Sequence, residues 1–558
     1  MTPTERTIAR LPAHLRRYVV GQDYAAYTAR DQAVWRNILG KLRGHLADKA
    51  HPVYLEGLEA TGIGAECIPS LDEMNEKLSR LGWACVGVRG FIPPAVFTEL
   101  QALGVLAIAA DIRTHEHIEY TPAPDIVHES AGHAPIIANR RYAEYLKACG
   151  LVGFKAIASV EDQAVFEAIR NLSVVKEDPD ATEEEVAHAQ ARLEAASASR
   201  RYVSESTRAS RLYWWTAEYG LIGDVEQPRI YGAGLLSSIG EAHHCLTPQV
   251  RKLPLSAACA DTEYDITRMQ PQLFVARDFE HLFEVLNEFE STMAWKRGGD
   301  FGLEEALRAR TVNHLVLADG REVTGKVVGL VAAPKPVAEG LSTALVRLDG
   351  PILASRGGKS VDAKPWNGQA LVAFGAGKLP ERGAFKLSLE SGLELEGFAT
   401  DGGEVLVLRG RLAGRPLELP AVARLFITTH LPSVAGGPAD PETWDRWFGE
   451  LSAFSEGDGE AKARSRKALS LHPSLAALYR EVRQMRESRA VKPERLAQIA
   501  AAATDFPDDW LLRTEVDELR APPRLSRSAA APHSCNRRPP LPGSGGRSRS
   551  TNRGTAHP

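Results

Sequence analysis

In the stretch from Pro122 to Pro135, His128 and His133 stand five residues apart and Glu129 follows the first, giving the pattern HExxxH. Imidazole and carboxylate groups are ligands for divalent transition metals. In an HExxH metalloprotease the two histidines are four residues apart and share one helical face. Five residues of an ideal α-helix turn through about 500°, so two such side chains diverge by about 140°. Both rings reach one metal only if the helix ends or distorts between them. Gly132 and Pro135 lie where this would happen: glycine loosens the turn and proline ends the regular hydrogen bonding. A histidine pair plus one carboxylate from elsewhere, with open coordination positions, is the facial triad of non-haem Fe(II) oxygenases. The residues alone leave many carboxylates open as the third ligand.

The elements that must carry these groups fall into zones. Residues 1–300 read as mainly helical, a catalytic domain that ends at the Gly-rich run from Lys296 to Gly302. Residues 310–433 read as a small β-rich domain, an antiparallel sheet or barrel. Its first hairpin is signalled by Asp319-Gly320 as a two-residue turn between His314–Ala318 and Arg321–Val328. Phe385, Leu387 and Leu389, then Leu393 and Leu395, alternate with other residues, and Val405–Leu408 follows. Residues 440–518 turn helical again: Asp440-Pro441 is an N-cap followed by proline at the first helical position. Trp444, Trp447, Phe448 and Leu451 share one face, and a further helix can start at Pro473. Residues 521–558 hold no Asp or Glu, are rich in Arg, Ser, Pro and Gly, and are expected to stay disordered.

Composition narrows the class. The chain has 558 residues, 44% hydrophobic and 25% charged, with a net charge of −4 that gives no basic excess for nucleic acid. Its six cysteines are scattered, without a CxxC pair, which argues against a disulfide framework or a thiolate zinc site. The first twenty residues lack a secretory h-region, and no apolar run nears the ~20 residues of a membrane span. A cytoplasmic address is expected, with no membrane or nucleic-acid partner.

PDIVHESAGHAPI resembles the iron-binding segment of the aromatic amino acid hydroxylases. Three further stretches agree in order: GFIPPAVF (Gly90–Phe97) resembles the pterin loop, LYWWTAEYGL (Leu212–Leu221) the helix supplying the carboxylate ligand, and YGAGLLSSIGE (Tyr231–Glu241) the segment beneath the substrate. The resemblance covers about residues 20–295. It implies Fe(2+) held by His128, His133 and Glu218, with Tyr213 in the outer shell of the iron. Trp214 lies four residues before Glu218, so on a helix both project from one face. Glu241 is the less favoured ligand. The resemblance further implies Arg113 on the substrate carboxylate, Thr121, Pro124 and Trp214 lining the amino acid site, and Ser237 beside a histidine ligand at that site. Phe97 stacks on a tetrahydropterin (tetrahydrobiopterin or a bacterial analogue), and Glu129 lies near it. His115, His117, His243 and His244 receive no metal role.

The resemblance thus implies a monooxygenase acting on an aromatic L-amino acid with O₂. Trp214 matches phenylalanine and tyrosine hydroxylases, and Ile266 stands where tyrosine hydroxylases tend to carry an acid, so phenylalanine to tyrosine is the favoured reaction. Tyrosine or tryptophan hydroxylation is the alternative. Other classes are a zinc-type metallohydrolase using HExxxH with Glu129 as base, and a degenerate hydroxylase domain serving as a ligand sensor. The spacing from His133 to Glu218 is longer than in the family. The excess, at about 160–206, holds the capping-box pattern Thr182–Glu185 and an Ala-rich stretch, and reads as a helical insertion projecting from the domain. The chain starts directly with catalytic-type sequence, so an N-terminal regulatory domain is not expected. The regions after residue 300 have no counterpart in the short bacterial enzymes.

Overall fold

The computed structural model describes residues 1–119, 125–177, 181–266, 268–364, 366–400, 404–448 and 471–520. Contacts group the chain into two compact units, residues 1–479 and 480–558. No helix among the described residues is long and apolar enough to cross a membrane. The five described cysteines are free thiols.

Helices dominate up to residue 309, with two small sheets among them. Strand Ala84–Val88 pairs in parallel with Val105–Ala109, and helix Pro94–Ala102 makes the crossover between them. Its Val96 and Leu100 pack with Leu15, Val86 and Val105, which fixes the direction in which the rest of that helix, including Phe97, faces. A second sheet orders Pro228–Ile230, Leu221–Gly223, Gln272–Ala276 and Arg251–Pro254 side by side. Two helices, Val160–Glu177 and Glu183–Ala198, form a hairpin. The second starts on a complete capping box: Thr182 accepts the Glu185 N–H, and the Glu185 carboxylate accepts the Thr182 N–H.

Gly298 and Gly299 do not form an open linker. Both have positive φ, 56° and 53°, and make a corner between helices Ala294–Arg297 and Gly299–Ala309. The second helix then lies on the sheet that follows: its Leu303, Ala306 and Ala309 share one core with Leu315, Val323, Val346 and Val434, and with Ile157 from the helical part.

That sheet corrects the expectation of a small antiparallel sheet or barrel. Among the described residues it has eleven strands. The main order is Gly383–Ser388, Leu393–Ala399, Glu404–Leu412, Val422–Thr428, Ala370–Phe374, Thr343–Arg356, Arg321–Ala332, Val312–Val316 and Ser433–Gly436. Ala370–Phe374 and Val422–Thr428 pair in parallel, so the sheet is mixed. A second apolar cluster, including Leu371, Leu393, Leu395, Val405 and Leu425, packs at the end where strands 383–412 lie. The hairpin at Asp319-Gly320 is a three-residue loop. Gly320 donates to the Leu317 carbonyl (2.9 Å), Leu317 donates to that of Arg321 (2.8 Å), and Gly320 has φ 79°. This is a type I turn closed by a left-handed glycine.

Helix Pro441–Phe448 follows, with Asp440 Oδ1 accepting the Thr443 N–H (3.1 Å). Trp444 is buried and packs with Leu353, Val312, Trp447 and Phe448, while Asp445 pairs with Arg17. Leu451 and the segment 521–558 lie outside the described residues. In the second unit, helices Pro493–Ala502 and Trp510–Arg520 bury Leu496, Ile499, Leu511, Leu512 and Val516, and Arg486 pairs with Glu515 (3.0 Å).

Candidate metal and substrate site

The helix carrying HExxxH neither ends nor stays regular. His128–His133 is a π-helical turn, closed where the Ala134 N–H donates to the Glu129 carbonyl five residues back. A turn of this width returns a side chain to the same side after about five residues, so the spacing that misfits an α-helix fits here. Gly132 serves packing rather than looseness: a Cβ there would lie 2.6 Å from the Ala233 carbonyl oxygen, so glycine lets the turn press against Ala233–Ser237. Pro135 does not stop the chain's helical course, which continues through Ala134–Ile136. The segment carrying Glu218 is also π-helical, Trp214–Glu218, with Tyr219 N–H donating to the Trp214 carbonyl at 2.8 Å. The regular helix expected there is corrected accordingly.

These two π turns bring His128, His133 and Glu218 together, with one ligand atom from each lying within 4.8 Å of the others. The carboxylate spans both rings: His133 Nε2 is 2.9 Å from Oε1 and His128 Nε2 is 3.2 Å from Oε2. Ser237 Oγ donates to the Ala233 carbonyl (2.7 Å) and lies 3.1 Å from His128 Nδ1. With its hydrogen thus committed, Ser237 accepts from Nδ1–H, which leaves the Nε2 lone pair for a metal. Burial alone would lower the His128 pKa, but the Glu218 carboxylate overrides it and raises the ring to about 9. Burial likewise works to raise Glu218, and the two imidazoles beside it win, holding its carboxyl well below the usual range. Both shifts record one demand, for positive charge between these groups, and the donor set of two imidazoles and a carboxylate fits a divalent metal such as iron.

Arg113 is buried and forked onto Asp125, Nε to Oδ2 and Nη2 to Oδ1, each at 2.8 Å. Asp125 also accepts the backbone N–H of Arg113 (3.0 Å) and of His128 (3.1 Å). Burial opposes the charge on Asp125, and Arg113 keeps its pKa below the ordinary carboxylate value. One guanidinium nitrogen, Nη1, is buried and has no hydrogen-bond partner among the described residues. Asp125 escaped the sequence reading. Its signal was the N-cap rule, since it stands three residues before the first histidine.

Trp214 is stacked with Tyr219 (centroids 4.4 Å apart) and with Tyr264 (4.2 Å), two tyrosines the sequence reading did not single out. Tyr213 hydroxyl accepts from Gln101 Nε2 (2.8 Å); its ring is 6.2 Å from that of His133 and 6.0 Å from that of Phe97. Glu129 is buried, its Oε2 has no hydrogen-bond partner among the described residues, and burial raises its pKa. Glu241 is buried apart from the triad. Ile266 is exposed at the surface of its turn, and Thr121 and Pro124 lie outside the described residues. His115 pairs with Glu116, and His243 stacks on His45.

The family profile described as "Biopterin-dependent aromatic amino acid hydroxylase" matches residues 9–167 and 184–301. The gap between the two, residues 168–183, begins within the helix Val160–Glu177 and ends at the start of the helix Glu183–Ala198. The chain is 31% identical over 268 residues to a phenylalanine-4-hydroxylase of Pseudomonas aeruginosa, covering 47% of this chain and 84% of that protein. It is 29% identical over 271 residues to one of Chromobacterium violaceum, covering 48% and 76%. A crystal structure of the latter enzyme with bound iron(III) and 7,8-dihydrobiopterin overlaps 52% of this chain and 90% of its own, at 27% identity and a TM-score of 0.39.

Proposed function

The chain belongs to the biopterin-dependent aromatic amino acid hydroxylase family, and from that premise we propose that it converts L-phenylalanine to L-tyrosine at an iron held by His128, His133 and Glu218. Membership sets aside the metallohydrolase reading of HExxxH. The observation that carries the proposal is the triad: two imidazoles and one carboxylate converge within 4.8 Å, from two separate π turns.

When bound, iron and a tetrahydropterin together supply the electrons and oxygen activation that ring hydroxylation needs. The chain's own side chains do the rest. Glu218 and the two histidines offer a facial set that leaves other coordination positions open. Ser237 fixes the His128 tautomer. Arg113, held by Asp125 through Nε and Nη2, offers its remaining Nη1 to the substrate carboxylate as a charge-assisted donor. Trp214, held in a stack by Tyr219 and Tyr264, is the aromatic wall. Phe97 is the platform for the pterin ring, and Glu129, buried with an unpartnered oxygen, is the acceptor for a pterin N–H. The preference for phenylalanine over tyrosine rests on relatives bearing the phenylalanine-4-hydroxylase name. No side chain acts as a strong base.

The test is tyrosine formation from phenylalanine by the purified chain with Fe(II), tetrahydropterin and O₂, against mixtures lacking each component. Tyrosine in the complete mixture alone is the expected result. A folded, iron-loaded protein that makes none would leave tyrosine and tryptophan as substrates, or the ligand-sensor reading.

A further inference from the structure

A cavity of about 190 Å³ lies on the seam between the helical part and the large sheet. On one side its wall includes Phe97, Ser210 and Tyr213; on the other it includes Val312, Gly437 and Trp444, from the part of the chain beyond the family match, which ends at residue 301. The seam is pinned on several sides. Thr311 Oγ1 donates to the Ala158 carbonyl (2.7 Å), Asp445 pairs with Arg17, and Gly436 passes so close that a Cβ would lie 2.3 Å from the Ala156 carbonyl oxygen. The cavity is therefore a fixed feature of the fold and not a crevice between loosely apposed parts.

Its chemistry selects a ligand class. Among the described residues that line it there is no charged side chain. A zwitterionic amino acid or a phosphate would leave its charges unpaired there, at high cost. Hydroxyls of Thr98, Ser206 and Ser210 and the backbone of Gly436–Gly437 stand among apolar and aromatic walls, an arrangement suited to an uncharged, hydroxylated organic group. The cavity is also one aromatic ring away from the metal triad. Phe97 meets Tyr213 edge to face, and Tyr213 lies 6.2 Å from His133.

We propose that the sheet lobe completes the cofactor site: the hydroxylated side chain of the pterin enters this cavity, and Val312 and Trp444 determine which pterin the enzyme accepts. This rests on the reading above that Phe97 carries the pterin ring. It gives the lobe a role in cofactor choice, with the metal ligands and the amino acid site left to the helical part.

The test is equilibrium binding by calorimetry to the metal-free full chain, with 7,8-dihydrobiopterin and 6-methyl-7,8-dihydropterin as probes. They share the ring and differ in the side chain. Val312→Phe fills the cavity from a half-buried strand position, and Trp444→Ala opens it; thermal melting confirms that each variant is folded. Val312→Phe is expected to weaken dihydrobiopterin about ten-fold while changing the methyl compound by less than about two-fold, and Trp444→Ala to shift the ratio of the two constants as well. An unchanged ratio in the folded variants, with both compounds bound by the wild type, overturns this inference and leaves the parent reading standing. A wild type that binds neither compound overturns both.

Discussion

At the scale of single residues, the site depends on groups that hold other groups. Asp125 is the strongest case: one buried carboxylate fixes Arg113 through two side-chain hydrogen bonds and caps the backbone at His128. Asp125→Ala leaves a buried guanidinium unpaired, and breaking such a pair costs about 3–5 kcal/mol. Denaturant unfolding should show a loss of that order, together with a raised KM for phenylalanine; a change under about 1 kcal/mol would show that Arg113 finds another partner. Glu218→Ala removes the carboxylate that spans both imidazoles, so metal content by elemental analysis should fall towards background while the far-UV dichroism is retained. Normal iron occupancy in that variant would remove Glu218 from the ligand set. Much of this was legible in the sequence because residue type and order survive folding: the two histidines, Glu218, Ser237 and Arg113 all stand out against a family pattern. Asp125, Tyr219 and Tyr264 were not singled out, because their importance comes from whom they touch: Asp125 from Arg113, 12 residues before it, and Tyr264 from Trp214, 50 residues away.

At the scale of elements, the decisive feature is the pair of π turns. An i,i+5 histidine spacing is a defect in an α-helix and a fit in a π turn, so the spacing announced a distortion without specifying which. Deleting Ala131 converts HExxxH to HExxH and invites a regular helix, which would rotate His133 by about 100° relative to the turn that follows. The expected outcome is a folded protein that has lost metal binding by titration calorimetry; retention of tight binding would mean that the π geometry is incidental. Gly132→Ala tests the same turn from outside, since the new Cβ meets the Ala233 carbonyl at 2.6 Å; a cost of about 1–3 kcal/mol is expected from the overpacking. Elsewhere, local signals fared according to their locality. The capping box at Thr182–Glu185 and the N-cap at Asp440 are short-range hydrogen bonds and could be read directly. The hairpin at Asp319-Gly320 was right in place and one residue short, because Asn/Asp-Gly pairs serve both two- and three-residue loops. The extent of the large sheet could not be read. Its middle joins Ala370–Phe374 to Val422–Thr428 in parallel across some fifty residues, and such pairing has no signature in either strand.

At the scale of the whole molecule, the helical part and the sheet lobe share a core and an apolar seam, and the buried carboxylate of Glu205 sits at their junction. Glu205, at the start of the helix Glu205–Tyr213, accepts the Ile157 N–H (3.2 Å) and the Ala294 N–H (2.6 Å). Ile157 precedes the helical hairpin, and Ala294 opens the short helix that leads into the corner at Gly298–Gly299, so Glu205 ties three stretches of chain together. Burial raises its pKa to about 7, against the pull of those two donors and of Arg208. The folded chain therefore holds a proton on Glu205 in a pH range where the unfolded chain has released it. Stability from this group is fully present below the ordinary carboxylate pKa of about 4.5 and is lost as pH rises through about 7. The difference corresponds to a decline on the order of 3 kcal/mol across that window. Glu241, buried and likewise raised to about 7, adds a decline of the same sign. Glu205→Gln stays uncharged at every pH. The variant should begin less stable, because one amide nitrogen must face a backbone donor, but its unfolding free energy should fall less steeply between about pH 5 and 8 than that of the wild type. Parallel profiles for the two proteins would mean that Glu205 releases its proton in the folded state near the ordinary carboxylate value, and that the junction tolerates a buried charge.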